Sequence, residues 1–125
     1  MRLLLDTSTF IWAATSPERV SQTALDAITG ATLRELSTLS LSEIAIKQAK
    51  GKLNFPRDNV EAAIEDLRLH LLPYNVKNAY QLFNLPLHHK DPFDRMIIAQ
   101  ALAEDLPIVT SDAQFRLYRN LKVIW

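Results

Sequence analysis

The sequence predicts an α/β domain in which a doubly wound parallel sheet of about five strands is flanked by helices on both faces. Two observations favour this class. Residues 3–5 and 107–109 are short, continuous apolar runs, as expected for strands that are buried on both faces. Longer segments with apolar residues at helical spacing lie between such runs. At 125 residues, the whole chain, 1–125, fits one domain.

Local signals place the elements in order along the chain. The first strand ends at Asp6, and Thr7 or Ser8 can cap the helix that follows. Ser40 and Glu43 form a capping-box pattern, which predicts a helix that starts there, carries Glu43 in its first turn and is closed by Gly51. The other predicted helices cover residues 21–29, 56–70, 75–82 and 91–101, with a short helix near 115, and the other strands cover 33–39, 71–72 and 123–125.

The stretch from residue 91 to residue 101 is the most informative part of the chain. Asp91 suits an N-cap, Pro92 suits the first helical position, and Asp94 lies where a capping-box carboxylate would lie. Acidic residues in a first turn also complement the helix dipole. These two carboxylates can therefore either stabilise the helix or belong to a site, and the local sequence leaves both interpretations open.

Composition excludes several functional classes. The 14 basic residues balance the 14 acidic ones, so no overall field attracts nucleic acid or a membrane. With no cysteine and only three histidines, disulfides, zinc-thiolate sites and nitrogen-rich metal sites are not expected. The N-terminal apolar run is too short for a signal peptide or a membrane span, so we expect a cytoplasmic protein without a membrane partner.

Five acidic side chains are expected at one edge of the sheet. Asp6 and Asp112 follow apolar strands, whereas Glu43, Asp91 and Asp94 lie near helix starts. Ligands bind at the carboxyl edge of open parallel sheets. Carboxylates that converge there repel one another unless a cation holds them together. Because oxygen ligands select hard cations, the sequence predicts a Mg²⁺ site that Mn²⁺ can also occupy.

Some of these residues also have a purely structural explanation. Asp112 can cap the next short helix, and Glu43 can pair with Lys47 four residues later. Asp6 is the acid that is hardest to explain by structure alone, because a carboxylate at the end of a buried strand is costly unless it is paired. His88 and His89 are adjacent and should point apart, so a shared ligand role is not expected.

Basic residues near the predicted site are candidates for contacts with substrate phosphates. The alternative is that they are ordinary solvated surface charges. The set is Lys47, Lys50, Lys90 and Arg95.

Several segments together resemble the PIN-domain nucleases, specifically the VapC-type toxins: LLLD, SEIAIK with GKL, HHKDPFDRMIIAQA and VTSD. The resemblance extends over essentially the whole chain. It implies a metal-dependent ribonuclease with a metal site formed by Asp6, Glu43, Asp94 and Asp112 and, as a weaker candidate, Asp91. It further implies that Thr110 orients a neighbouring carboxylate by a hydrogen bond. The partners it implies are an RNA substrate, a second copy of the chain and a small antitoxin that occludes the site.

The predicted activity is hydrolysis of an RNA phosphodiester by metal-activated water. The main alternative is a Mg²⁺-binding receiver domain of the response-regulator type. Such a domain requires a second acidic residue after the first strand, but residue 7 is Thr7. A phosphatase of the haloacid-dehalogenase type requires Asp at position 8, but this residue is Ser8. A catalytically inactive, RNA-binding PIN-like module is the third alternative, and the complete set of acids argues against it.

Overall fold

Five parallel strands form a single sheet in the order β3-β2-β1-β4-β5 in the computed structural model, which describes residues 1–125. The strands are β1 (Arg2–Leu5), β2 (Leu33–Ser37), β3 (Leu69–Leu72), β4 (Ile108–Val109) and β5 (Val123–Ile124). The helices are α1 (Thr7–Thr15), α2 (Gln22–Gly30), α3 (Thr38–Ala49), α4 (Arg57–Asp66), α5 (Val76–Phe83) and α6 (Pro92–Ala103), with short 3₁₀ helices at Pro17–Arg19 and Ala113–Leu117. The predicted fold class is confirmed.

The strand order decides against the receiver-domain alternative. A receiver sheet has the order 2-1-3-4-5, in which β1 separates β2 from β3. Here β3 pairs with β2 at the outer edge of the sheet, and β1 pairs with β4. The order therefore reverses at β1, and Asp6 at the end of β1 lies at that switch point.

Helices pack on both faces of the sheet, which explains the continuous apolar run of β1. Leu3 and Leu5 belong to one core cluster together with Phe10 of α1. Leu4 belongs to the other cluster together with Ile97 of α6. Successive side chains of a strand point to opposite faces, so the buried part of β1, which is covered on both sides, has an apolar residue at each position.

Helix α3 begins earlier than the sequence predicts. Ser37 is its N-cap, and the Ser37 hydroxyl accepts a hydrogen bond from Leu39 N–H (3.1 Å). The predicted capping box of Ser40 with Glu43 is therefore wrong, and Glu43 lies in the second turn. The Ser40 hydroxyl is instead buried and hydrogen-bonded to the Thr7 hydroxyl (2.9 Å). The strand that precedes α3 ends at Ser37 and not at residue 39.

Helix α4 is shorter than predicted, because the chain turns before His70. Arg68 adopts a left-handed backbone conformation (φ 54°), which ends the helical turn, and His70 lies in β3. The predicted cap of α5 is present as a reciprocal pair between Asn75 and Asn78. None of the helices has both the length and the apolar character that a membrane span requires.

Candidate metal centre

Asp6 is fixed at the switch point by two hydrogen bonds. Its Oδ1 accepts from Thr9 N–H (2.8 Å), and its Oδ2 accepts from the Thr110 hydroxyl (2.6 Å). Asp6 itself is thus the N-cap of α1, and the prediction that Thr7 or Ser8 caps this helix is wrong. The side chain is buried, and this burial raises the pKa of Asp6 even though both hydrogen bonds favour the ionised form.

Thr110 connects Asp6 with Asp112 through its hydroxyl group. The hydroxyl donates to Asp6 and accepts from Asp112 N–H (3.1 Å), so one side chain aligns the ends of β1 and β4. The hydrogen bond to a neighbouring carboxylate that was expected of Thr110 is present. Asp112 also caps the second 3₁₀ helix, because its Oδ1 accepts from Gln114 N–H (2.9 Å). Capping and site formation are therefore not exclusive for Asp112.

Only one of the two oxygens of the buried Glu43 carboxylate has a hydrogen-bond partner in the protein. Its Oε2 accepts from the Lys47 ammonium group (2.8 Å). Its Oε1 is buried and has no hydrogen-bond partner. An unpartnered buried oxygen is costly, and a cation bound at this position would satisfy it.

Asp91 and Asp94 have different roles at the start of α6. Asp91 is exposed and caps the helix, with its Oδ1 accepting from Asp94 N–H (2.9 Å). The reciprocal capping bond from the Asp94 side chain is not formed, because Asp91 N–H donates to Nδ1 of His89 instead (3.1 Å). The Asp94 carboxylate lies beside the other ring nitrogen, with its Oδ2 3.2 Å from His89 Nε2.

The environment of Asp94 opposes its ionisation. Burial, followed by the charge of Asp91, raises the pKa of Asp94 to about 7. The charges of Glu43 and Asp6 act in the same direction, and His89 acts against them. Carboxylates from three separate parts of the chain are therefore close enough to interact at one edge of the sheet.

His89 is the site residue that sequence reasoning missed. Its ring is buried, and Nε2 lies 2.8 Å from Asp112 Oδ2 as well as near Asp94. His88 has a different environment: it is exposed and packs edge-on against the Tyr118 ring. The two adjacent side chains have different contacts, as predicted, but the prediction overlooked His89 itself. The sequence did contain one indication of this role. His89 lies two residues before the Asp91 cap, and from that position a side chain can reach the backbone N–H of the cap.

The four basic candidates lie in unlike environments. Lys47 is bonded to Glu43, and this bond, with the nearby charges of Asp91 and Asp94, raises the pKa of Lys47. Lys50 and Lys90 are exposed.

Arg95 uses most of its hydrogen-bond donors within the loop that precedes α6. Its guanidinium donates to the backbone carbonyls of Pro86, His89 and Leu85 (3.0, 3.2 and 3.3 Å). These bonds tie down the segment that precedes α6. Arg95 is left with two of the five N–H groups of a guanidinium for any phosphate.

The donor chemistry of this edge fits a hard divalent cation. The acids offer carboxylate oxygens, which Mg²⁺ and Mn²⁺ prefer. The ligand atoms of His89, Asp94 and Asp112 lie within 4.8 Å of one another. The unpartnered Oε1 of Glu43 and the raised pKa of Asp94 are the two signs that positive charge would stabilise the cluster.

Comparison with known proteins identifies the family and the fold of the chain. The PIN domain family model matches residues 3–121. Among solved structures, the chain is similar to VapBC2 from Rickettsia felis bound to a DNA fragment from its promoter, with 16% identity over 98% of this chain and 97% of that one and a TM-score of 0.74. It is also similar to DNA-bound VapBC from Salmonella typhimurium (19% identity, 98% and 96% covered, TM-score 0.74). A third is VapBC-5 from Mycobacterium tuberculosis, a member of the VapBC family of toxin-antitoxin systems (20% identity, 98% and 96% covered, TM-score 0.64).

These structural likenesses establish a shared fold. No curated protein matches the chain. The family model, in contrast, covers nearly all of the sequence, including every residue of the acidic cluster. The chain belongs to the PIN domain family.

Proposed function

We propose that the protein is a Mg²⁺-dependent endoribonuclease, with Mn²⁺ able to replace Mg²⁺, and that it is the toxin of a toxin–antitoxin pair. The observation that carries the proposal is the gathering of Asp6, Glu43, Asp94 and Asp112 at the switch point, where burial and mutual repulsion raise the pKa of Asp94 to about 7. Membership of the PIN domain family supports the nuclease activity. Similarity in fold to VapBC structures supports the role as a toxin.

Asp6, Glu43, Asp94 and Asp112 would hold the ion and are the catalytic residues of this proposal. Asp91 is the weaker fifth candidate, because it is exposed and its Oδ1 caps α6. When bound, the ion lowers the pKa of a coordinated water and offsets charge on the phosphate. The protein contributes a rigid arrangement of carboxylates, since Thr9 and Thr110 fix both oxygens of Asp6.

Incubation of the purified chain with total cellular RNA tests the activity. We expect cleavage at discrete positions with Mg²⁺ or Mn²⁺ and none in excess EDTA, because the carboxylates would hold the ion that activates the water and offsets the charge on the phosphate. The reaction is followed by sequencing the product ends. Undiminished cleavage in EDTA would show that the activity does not depend on this site.

Substrate phosphates are proposed to contact Lys47, Lys50 and Lys90, with Arg95 contributing less. A protein with no net charge must bind RNA through a local basic rim. We expect the double variant Lys47→Gln/Lys90→Gln to weaken RNA binding and to reduce the slope of log K against log salt by roughly one to two. Binding is measured in Ca²⁺ or EDTA across a salt series.

The control for the lysine rim is Lys77→Gln/Lys122→Gln, which removes the same charge elsewhere. Lys77 pairs with Glu104 at the far end of α6, and Lys122 lies just before β5 at the amino edge of the sheet. An equal loss of affinity in both double variants would mean that the effect comes from net charge and not from a rim at the site.

A second copy of the chain and an antitoxin are the proposed protein partners. The outer face of α5 exposes Val76, Tyr80 and Phe83 (70, 66 and 85% exposed). An apolar groove of about 640 Å³ runs between α3 and α4. Large exposed apolar surfaces of this kind mark protein interfaces. Sedimentation of the isolated chain tests the first partner, because a monomer at high concentration contradicts the homodimer.

A further inference from the structure

We propose that His89, as a fixed hydrogen-bond donor, positions the carboxylate of Asp112 beside that of Asp94 and does not itself bind the metal ion. The inference rests on the proposed metal-dependent function. By proximity alone His89 would count as a ligand, since Nε2 lies 2.8 Å from Asp112 Oδ2 and 3.2 Å from Asp94 Oδ2. The hydrogen bond on the opposite side of the ring decides between donor and ligand.

The Asp91 backbone determines which ring nitrogen carries the proton. Asp91 N–H points at Nδ1 of His89 at 3.1 Å. A backbone N–H can only donate, so Nδ1 must present its lone pair, and the proton of the neutral ring resides on Nε2. A protonated Nε2 has no lone pair for a metal ion but can donate to a carboxylate oxygen. A metal-binding His89 would need the opposite arrangement, with Nδ1–H donated to an acceptor.

The ring cannot easily exchange these roles, because its surroundings fix it. The ring packs edge-on against Phe115, with ring centroids 5.6 Å apart and planes at 90°. His89 N–H donates to the Tyr118 hydroxyl oxygen (2.8 Å), and the His89 carbonyl accepts from Arg95 (3.2 Å). Turning the ring over would place carbon atoms where both nitrogens now lie and would lose the hydrogen bonds on both sides.

A donor at this position has two consequences for the site. It orients Asp112 through the Oδ2 atom, with Asp94 Oδ2 3.2 Å from the same nitrogen, and it neutralises neither carboxylate. It also keeps the ligand set of the ion purely oxygen, since an imidazole ligand would shift the preference towards zinc and other transition metals. His89 therefore acts through the Asp112 carboxylate that it holds, as a positioning residue that maintains the preference for a hard cation.

Nuclear magnetic resonance of the ¹⁵N-labelled full chain tests the donor role directly. Long-range ¹H–¹⁵N correlations of the imidazole nitrogens are recorded at pH 8 in EDTA, with Mg²⁺ and with Zn²⁺, and His89→Gln assigns the signals. We expect the neutral ring with the proton on Nε2 under all three conditions. A proton on Nδ1, or loss of the Nε2 proton when either ion binds, overturns the proposal.

Variants test whether the donor matters for metal binding. His89→Leu removes it at similar size, His89→Gln retains an N–H near the place of Nε2, and His88→Leu is the control on the exposed neighbour. Calorimetry with Mg²⁺ on RNA-free protein should show affinity weakened about 10- to 100-fold in His89→Leu, largely recovered in His89→Gln and unchanged in the control. Equal affinity of His89→Leu and wild type, or equal loss in the Leu and Gln variants, contradicts the donor role.

Thermal unfolding in EDTA separates a folding defect from a loss of metal affinity. If His89→Leu does not fold, the donor role is tested by the spectra of the wild type and by the Mg²⁺ affinity of His89→Gln. None of these measurements uses RNA. A wild type that binds no Mg²⁺ would therefore count against the proposed function, whereas a wild type that binds Mg²⁺ through a deprotonated Nε2 would count only against the role of His89.

Discussion

Asp94→Asn is expected to reduce RNA cleavage by more than about 100-fold, because residues that only support metal ligands already cost about 10- to 100-fold when they are changed and a ligand should cost more. The carboxylate of Asp94 is the one whose pKa rises to about 7 under the charges of Asp91, Glu43 and Asp6. The amide of asparagine keeps the size and one oxygen but loses the charge that the ion requires. The Asp91 cap is retained, since it uses the backbone N–H of residue 94.

The measurement is cleavage of RNA with Mg²⁺, accompanied by the increase in melting temperature that Mg²⁺ produces. That increase should be much smaller in Asp94→Asn, because a weaker ligand set binds less ion at a given concentration. Asp105→Asn is a matched control: Asp105 lies just beyond α6 at its other end, is exposed, and has a left-handed backbone (φ 53°) that asparagine adopts well. A variant that keeps both the activity and the full Mg²⁺ effect would remove Asp94 from the site.

The fold class was predictable because its main signals are local. Leu3, Leu4 and Leu5 of β1 lie alternately on two covered faces of the sheet, and the continuous apolar run that this requires is visible in the sequence alone. The start of α3 was not predictable in the same way. Ser37 and Ser40 are both suitable caps, and the choice depends on where β2 stops pairing with β1 and on the buried bond between Ser40 and Thr7.

The gathering of the acids was predictable for a topological reason. The carboxyl ends of parallel strands share one edge, so Asp6 and Asp112 must lie on the same edge, and the pairing of β1 with β4 brings them close together. The contact of His89 with the acids depends instead on the path of the loop before α6. Arg95 and Tyr118 hold that loop through hydrogen bonds to backbone atoms, and no local pattern specifies such bonds.

The stability of the metal-free protein is expected to fall as the pH rises from about 4 to above 7, because of Asp94. In the unfolded chain this carboxyl group loses its proton near its ordinary pKa of 3.8, whereas the folded protein retains the proton up to about pH 7. Within that window the folded state binds more protons than the unfolded state, so stability decreases with pH. The raised pKa of Asp6 acts in the same direction.

Denaturant unfolding in EDTA at pH 5 and pH 8 measures the effect. Asparagine does not titrate, so the stability of Asp94→Asn relative to wild type should increase by roughly 2 to 3 kcal/mol between these pH values, and the variant should melt higher in EDTA at pH 8. Asp105→Asn should show no such change relative to wild type. Saturating Mg²⁺ should suppress the decline in wild type, since the ion binds the ionised carboxylate. A purely structural Asp94 would lead instead to a variant that is less stable than wild type at pH 8 with EDTA, and that result would contradict the metal site.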